Sequence, residues 1–392
     1  MNYLFKRDTF FATLSVYLVM GLLVLIPLNL HFLDPIKLAL TDLDFNDLSY
    51  TALKSQDTNA MDDKIVIVNI RKAGRDTIAA VINKLHDVNT RAIGLDVLFF
   101  APKNPVTDQL LATAIKRTDN IVLSDKLTWE KDSLLHAGYF APYSAHVGYV
   151  NFIGEEGGSI RSFSPFEKVK DTLNKSFATA VVQLADAVQY NRLLKRGNDM
   201  ERINYKRQAQ QYITVDYSDL LNNQIDTAVF YNRIVLIGIV SNDPSDIEDK
   251  HFTPLNERFA GKSIPDMNGV ILHANIISMI LGNNYIKHVP LWINWLLSFV
   301  LCWLFLAVVI RYFLQNNIWF HLITKVIQLI LAALFIFIGI FVRKYFSLHL
   351  DLASTLVAIV LSLDVLYFYE GFAKWLHKKF HYKTIFKTTH KV

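Results

Sequence analysis

Eight polar residues stand at or near the ends of apolar runs, and they are the groups with which this chain could hold a ligand. Asn69 and Arg71 close the run Ile65–Ile70, and Asp96 lies inside Ala92–Phe99. Asp125 falls within Ile121–Leu127, and Asn151 closes His146–Asn151. Asp243, Asp249 and His251 follow Ile234–Val240. In an open parallel α/β sheet, ligands settle in the crevice at the carboxyl ends of the strands, where these side chains would sit. A carboxylate inside a buried strand, as Asp96 would be, needs a partner. Each of the eight can instead serve structure through turn and cap hydrogen bonds. The same choice applies to His273 and Asn275 on the helix beyond.

Other constellations fail on spacing. Ala260-Gly261-Lys262-Ser263 ends like a phosphate-binding loop, but the motif needs glycine where Asn256 stands and a strand before it. No Gly-x-Gly-x-x-Gly or Gly-x-Ser-x-Gly is present. His377 and His381 share a helical face without a nearby carboxylate, which fits a basic interfacial helix better than a metal site. Neither catalysis nor a metal or other cofactor is expected.

The elements that would position the eight residues alternate. Apolar runs 65–70, 92–99 and 121–127 read as strands buried on both faces. Between them, 75–88 is amphipathic, with Ile78, Ala79, Ile82 and Leu85 on one face, and 108–117 is helical with Thr107 as its cap. Residues 128–153 read as short strands, Glu155–Ser159 as a turn, and 174–190 as one amphipathic helix. Arg192–Gln208 carries six basic and two acidic residues and reads as a solvated insertion rather than a site for an acidic partner. A strand at 212–216 leads to the stretch around which the chain is organised. There, strand 234–240 feeds a polar turn, a helix over 268–281, and then the apolar segment opened by Pro290. The fold expected is an α/β domain, mainly a parallel sheet flanked by helices.

With 52% hydrophobic residues and a mean hydropathy of +0.25, the chain is more apolar than an ordinary soluble domain. The excess is at the two ends. Phe10–Leu28 is nineteen residues without a charge, preceded by Lys6 and Arg7, and reads as an uncleaved signal anchor. Segments 290–313, 318–342 and 348–369 are each long enough to span. The net charge of +5 belongs to the tail: residues 374–392 hold six lysines and no acid, so the rest of the chain is slightly acidic. No nucleic-acid-binding face is expected. Positive-inside places both termini in the cytoplasm, against the minor conflict of Arg343 and Lys344. The single cysteine, Cys302, permits no intramolecular disulfide. The division expected is 1–33 with the anchor, an extracytoplasmic 34–288 beginning with an acidic connector to Met61, three further transmembrane helices over 289–370, and a basic tail, 371–392.

Two charges fall inside these spans. Lys325 lies seven residues from Ile318, and Asp364 six residues before Glu370. At ~1.5 Å per residue both sit about 9–10 Å below the same surface. An unpaired charge there costs a few kcal/mol, so an ion pair across the helical hairpin is expected. The alternative is that Lys325 snorkels and Asp364 is protonated.

Several ordered motifs resemble one family. Asp63–Val68, Ala92–Phe99, His146–Asn151, Val235–Gly238, Asp249-Lys250-His251-Phe252-Thr253-Pro254 and Asn268–Asn275 together resemble a CHASE domain of the second type. The resemblance covers roughly 34–288 and is followed by three apolar segments. It implies an extracytoplasmic sensory module of a bacterial inner-membrane receptor, and it names no ligand. In that family an output enzyme often follows the helices, whereas this sequence ends about twenty residues after its last span. The expectation is therefore a sensor of an extracytoplasmic small molecule or peptide, signalling to a separate output protein docked on the basic tail. A homodimer is open, and the lipid bilayer is the remaining partner. The competing expectation is a scaffold subunit of a cell-envelope complex.

Overall fold

The computed structural model describes residues 3–25, 61–130, 133–136, 138–152, 158–169, 172–241, 243, 245–247, 249–256, 264–315, 318–346, 348–350 and 352–386. The connector 34–60, residues 155–157 of the expected turn, 260–263 and 387–392 lie outside them. The chain divides into an α/β unit, Tyr50–Ile286, and a helical unit formed by Met1–Ser49 and Lys287–Val392.

The α/β unit is built on a six-stranded sheet. Its strands are β1 (Ile65–Asn69), β2 (Ala92–Leu95), β3 (Ile121–Asp125), β6 (Val147–Tyr149), β11 (Ile213–Asp216) and β12 (Ile234–Gly238); three small antiparallel pairs lie outside it, β4 (Leu127–Glu130) with β5 (Ser133–His136), β7 (Ser162–Phe163) with β10 (Glu201–Arg202), and β8 (Phe166–Val169) with β9 (Thr172–Lys175). Spatial order is β11-β1-β12-β2-β3-β6, and every pairing is parallel. The late strand β12 is thus inserted between β1 and β2, with Val66 opposite Val235 and Leu236 opposite Gly94.

Two helical layers cover the sheet because alternate residues point to opposite faces. Val66, Val68, Ile93, Leu95, Val235 and Ile237 pack under α2 (Arg75–His86) and α3 (Pro105–Arg117), in one cluster with Leu220 of the short helix α6 (Tyr217–Leu221). Ile65, Ile67, Ala92, Ile234 and Leu236 pack under α4 (Phe177–Ala185) and α7 (Gly269–Leu281). Burial of each such side chain is worth roughly 1.5–3 kcal/mol, which is why β-branched runs apolar on both faces settle here. Close approach has its own requirement: a Cβ at Gly148 would lie 2.5 Å from the Phe177 backbone.

Four expectations shift. Residues 192–208, expected as a solvated insertion, place Leu193, Ile203 and Tyr205 in the core under the sheet. The helix over 105–117 starts earlier than expected because Asn104, followed by Pro105, accepts from the N–H groups of Val106 and Thr107 and outcompetes Thr107 as cap. The helix expected over 174–190 is two, α4 and α5 (Ala187–Arg196), since Asp186 breaks the run and caps the second. The second strand stops at Leu95, leaving Asp96 in the loop just beyond it.

In the helical unit, α8 (Leu291–Phe313), α9 (Phe320–Phe346) and α10 (Ala353–Phe380) are long and apolar enough to cross a membrane. The expected first span meets the apolar helix α1 (Arg7–Leu25), whose Ala12, Val16 and Met20 share a core with Cys302, Leu306, Ile359 and Leu366. Tyr17 Oη lies 2.6 Å from Ser298 Oγ. At the start of α1, buried Asp8 accepts hydrogen bonds from Tyr369 Oη (2.9 Å), Thr384 Oγ1 (3.2 Å) and the Ile385 N–H (2.8 Å). That carboxylate joins α1, α10 and the segment after α10.

Candidate functional site

The sheet order creates a switch point: β11 lies on one side of β1, and β12 and β2 on the other. A cleft of about 1680 Å³ opens at the carboxyl ends of these strands. Of the eight expected residues, Asn69, Arg71, Asp96, Asn151, Asp249 and His251 line it, whereas Asp125 and Asp243 do not.

Several wall residues have structural duties. Asn69 Nδ2 donates to Asp216 Oδ1 (3.1 Å), while its Oδ1 accepts from the N–H groups of Arg71 (3.2 Å) and Val240 (3.0 Å). It therefore ties the ends of β1, β11 and β12 together. Arg71 has φ 49°, in the left-handed region that an arginine rarely occupies. Its guanidinium grips Asp216 with two bonds, Nη2 to Oδ2 at 2.5 Å and Nε to Oδ1 at 3.2 Å. Asn151 makes a two-point clamp on Leu127, accepting from its N–H (2.8 Å) and donating to its carbonyl (2.9 Å).

The two residues outside the cleft turn back on their own loops. Asp125 is buried and accepts from the N–H groups of Lys126 and Gly138, each at 2.8 Å. Asp243 is exposed and accepts from Ser245 N (2.8 Å) and Oγ (2.7 Å), which holds its carboxyl below the usual range. Both satisfy turns, as acids following strands often do.

The floor of the cleft is where polar groups are left over. Asp96 and Asp249 meet at the start of α7: a Cβ on Gly269 would lie 3.4 Å from Asp249 Oδ1 and 3.7 Å from Asp96 Oδ2. Among the described residues, the Asp96 carboxyl has no hydrogen-bond or ion-pair partner. Burial, with Asp249 second, pushes it up to about 8. Burial also raises Asp249 to about 6, offset by a hydrogen bond from the Gly269 N–H and supported by Asp246. His273 is buried, and burial, then His251, pushes it down to about 3. Phe152 stacks on His273 at 4.8 Å and meets His251 edge-on at 4.9 Å. His273 Nδ1 has no hydrogen-bond partner among the described residues. Near neutral pH this floor offers a protonated Asp96, a largely ionised Asp249 and neutral imidazoles. It is suited to hydrogen bonding with a ligand's donors and acceptors. No group of three or more His, Cys, Asp or Glu side chains among the described residues is placed to hold a metal ion.

Sequence reasoning missed Lys72, Lys126, Phe152, Asp216 and Asp246 on the walls. Asp216 and Lys126 follow strands that the apolar pattern locates, so the strand-end rule reaches them; nothing local marks Phe152. Asn275 has structural work only in the contacts observed, accepting from the Lys206 and Arg207 N–H groups and donating to the Arg207 carbonyl.

In the helical unit, no ion pair joins Lys325 and Asp364, and both side chains are exposed on their helices. Polar contacts between α9 and α10 are made instead by Gln328 Nε2, which donates to the Ile359 carbonyl at 2.7 Å, and by Tyr367 Oη, which lies 3.2 Å from a ring nitrogen of His321. Lys325 is turned about 60° away from Gln328 around the helix, because three residues advance 300°.

No curated protein and no solved structure matches the chain. The family model described as the CHASE2 domain matches residues 18–309, well over half of the sequence. With its parallel α/β unit and its membrane-length helices, the chain belongs to the CHASE2 family of extracytoplasmic sensory domains.

Proposed function

We propose that this chain is a membrane sensor whose α/β unit lies outside the cytoplasm and binds a small polar ligand in the cleft at the sheet's switch point. The carrying observation is the cleft floor, where, among the described residues, Asp96 has no partner, Asp249 crowds it, and buried His273 Nδ1 has no hydrogen bond. Unsatisfied buried polar groups are costly, and a ligand that satisfies them gains that energy on binding. A ligand presenting N–H or ammonium donors fits the acid pair. In this reading α1 is a fourth span, both termini are cytoplasmic, and the ligand-bound state reaches a partner protein at the inner face.

The route out is short. Asn284 and Tyr285 are held within the α/β unit, by Asn204 Nδ2 at 3.0 Å and by the Arg196 guanidinium 4.0 Å over the Tyr285 ring. Within the helical unit, Lys287 and His288 pair with Leu348 and His349. Only Ile286 lies between these two sets of contacts.

The test is thermal unfolding of the full chain in nanodiscs against small amines, amino acids and their amides. A ligand at a hundred times its Kd stabilises by about 2.7 kcal/mol, a shift of roughly 5–10 °C for a domain of this size. The reading predicts a shift that Asp96→Asn reduces by most of its size. A shift unchanged in both Asp96→Asn and Asp249→Asn places the ligand elsewhere. A stoichiometric envelope complex indifferent to any ligand favours a scaffold.

A further inference from the structure

Asp364 lies in the outward stripe of a membrane helix. On α10, Val357, Val360, Phe368, Phe372 and Trp375 are exposed at helical spacing, and Asp364 falls in the middle of them. Counted from Ala353 it is eleven residues in, about 16 Å of helix, so its short side chain does not reach the surface. Lys325 is likewise exposed on α9 among Leu322, Val326 and Leu329.

The two charges are level. His321 stacks on Tyr367 at 5.7 Å, and Gln328 bonds to Ile359, so Lys325, four residues on from His321, comes opposite Leu363 and Asp364. They also flank the same side of the hairpin. Lys325 precedes its contact residue Gln328 by three positions, as Asp364 precedes Tyr367, and in antiparallel helices that shared rotation of about 60° carries both to one groove. A base and an acid therefore stand side by side on one exposed face, without an ion-pair partner among the described residues, at a depth where an unpaired charge costs a few kcal/mol.

We infer that this α9–α10 face is a dimer interface in which Lys325 of one copy pairs with Asp364 of a second copy, and the reverse. A two-fold axis turns one acid and one base into two ion pairs, so a second copy of this chain neutralises all four charges. A different partner would need its own acid and base at the same depth and spacing. The apolar residues around Asp364 would supply the surrounding contact and exclude lipid from the pairs.

The test uses the full chain in membranes in a Cys302→Ala background, with Leu322→Cys in one affinity-tagged copy and Phe368→Cys in a second, differently tagged copy, two exposed positions that the His321–Tyr367 contact sets nearly level. Oxidation is expected to give disulfide-linked dimers of the otherwise unaltered protein. Adding Lys325→Asp leaves two acids, and adding Asp364→Lys leaves two bases; each alone is expected to lose dimer at least tenfold. Co-expression of these two variants is expected to restore it as a mixed dimer, identified by two different affinity tags. Restoration also shows that both variants fold, and a pair closed within one copy cannot produce it. Single-molecule photobleaching of the unaltered protein should show two steps. A one-step population, or a mixed sample no more cross-linked than either variant alone, overturns the inference.

Discussion

The carboxyls of Asp96 and Asp249 share one small space over Gly269, and only one of them is ionised near neutral pH. The first comes from the loop just after β2, the second from the polar turn after β12. The insertion of β12 beside β2 brings them together, so the pair is a product of sheet order.

That pair gives stability a particular pH dependence. A carboxyl raised to about 8 leaves the folded state holding a proton that the unfolded chain releases near 3.8. Its contribution is therefore full below pH 4 and lost as pH rises towards 8. Asp249 behaves likewise up to about 6. His273, pushed down to about 3, acts oppositely: its contribution is present above 6.5 and lost as pH falls. The terms offset in acid and leave Asp96 alone between pH 6.5 and 8. Stability there should fall with pH by up to about 1.4 kcal/mol per pH unit. Thermal unfolding of Asp96→Asn should be flat across that window, and a slope unchanged by the substitution would refute the assignment.

The Asp8 clamp should govern the segment after α10. Removing an acceptor of three hydrogen bonds leaves buried donors unsatisfied, so Asp8→Ala should cost on the order of 1–3 kcal/mol or more. It should also speed tryptic cleavage after Lys383 in inside-out vesicles, relative to the unaltered chain. Equal cleavage rates would mean the clamp holds nothing there.

What could be read from the residues divides along a physical line. Runs such as Ile65–Asn69 and Ile234–Gly238 are legible because burial on both faces leaves no polar positions. Their spatial order is not, since the pairing of Val66 with Val235 is settled by contacts across the whole domain. Strand ends pointed to Asp96, Asp249 and His251, but could not tell them from Asp125, whose carboxylate turns back to Gly138. Local sequence fixes where a side chain starts, and the loop that closes over it decides where it goes. In the membrane helices, counting residues gave the depth of Lys325 and Asp364. Their rotation about the helix axis depends on which face Gln328 and Ile359 claim, and that is a packing outcome.

Coupling should run through the short connection after α7. Asn284 and Lys287 are held by different units, so a flexible insert between the two sets of contacts should disconnect them. A run of Gly-Ser repeats inserted at 286 should leave ligand-induced thermal stabilisation within a few degrees of normal while abolishing any ligand-dependent recruitment of the partner. Recruitment that survives a long insert would require another route.

The central claim is that the α/β unit senses from outside the cytoplasm while the chain ends inside it. Cysteine labelling tests it most directly, with Glu130→Cys and Ile385→Cys placed singly in a Cys302→Ala background. A membrane-impermeant maleimide added to intact spheroplasts should label position 130, and should label position 385 only after the membrane is opened. Labelling of both positions from the same side would contradict the account.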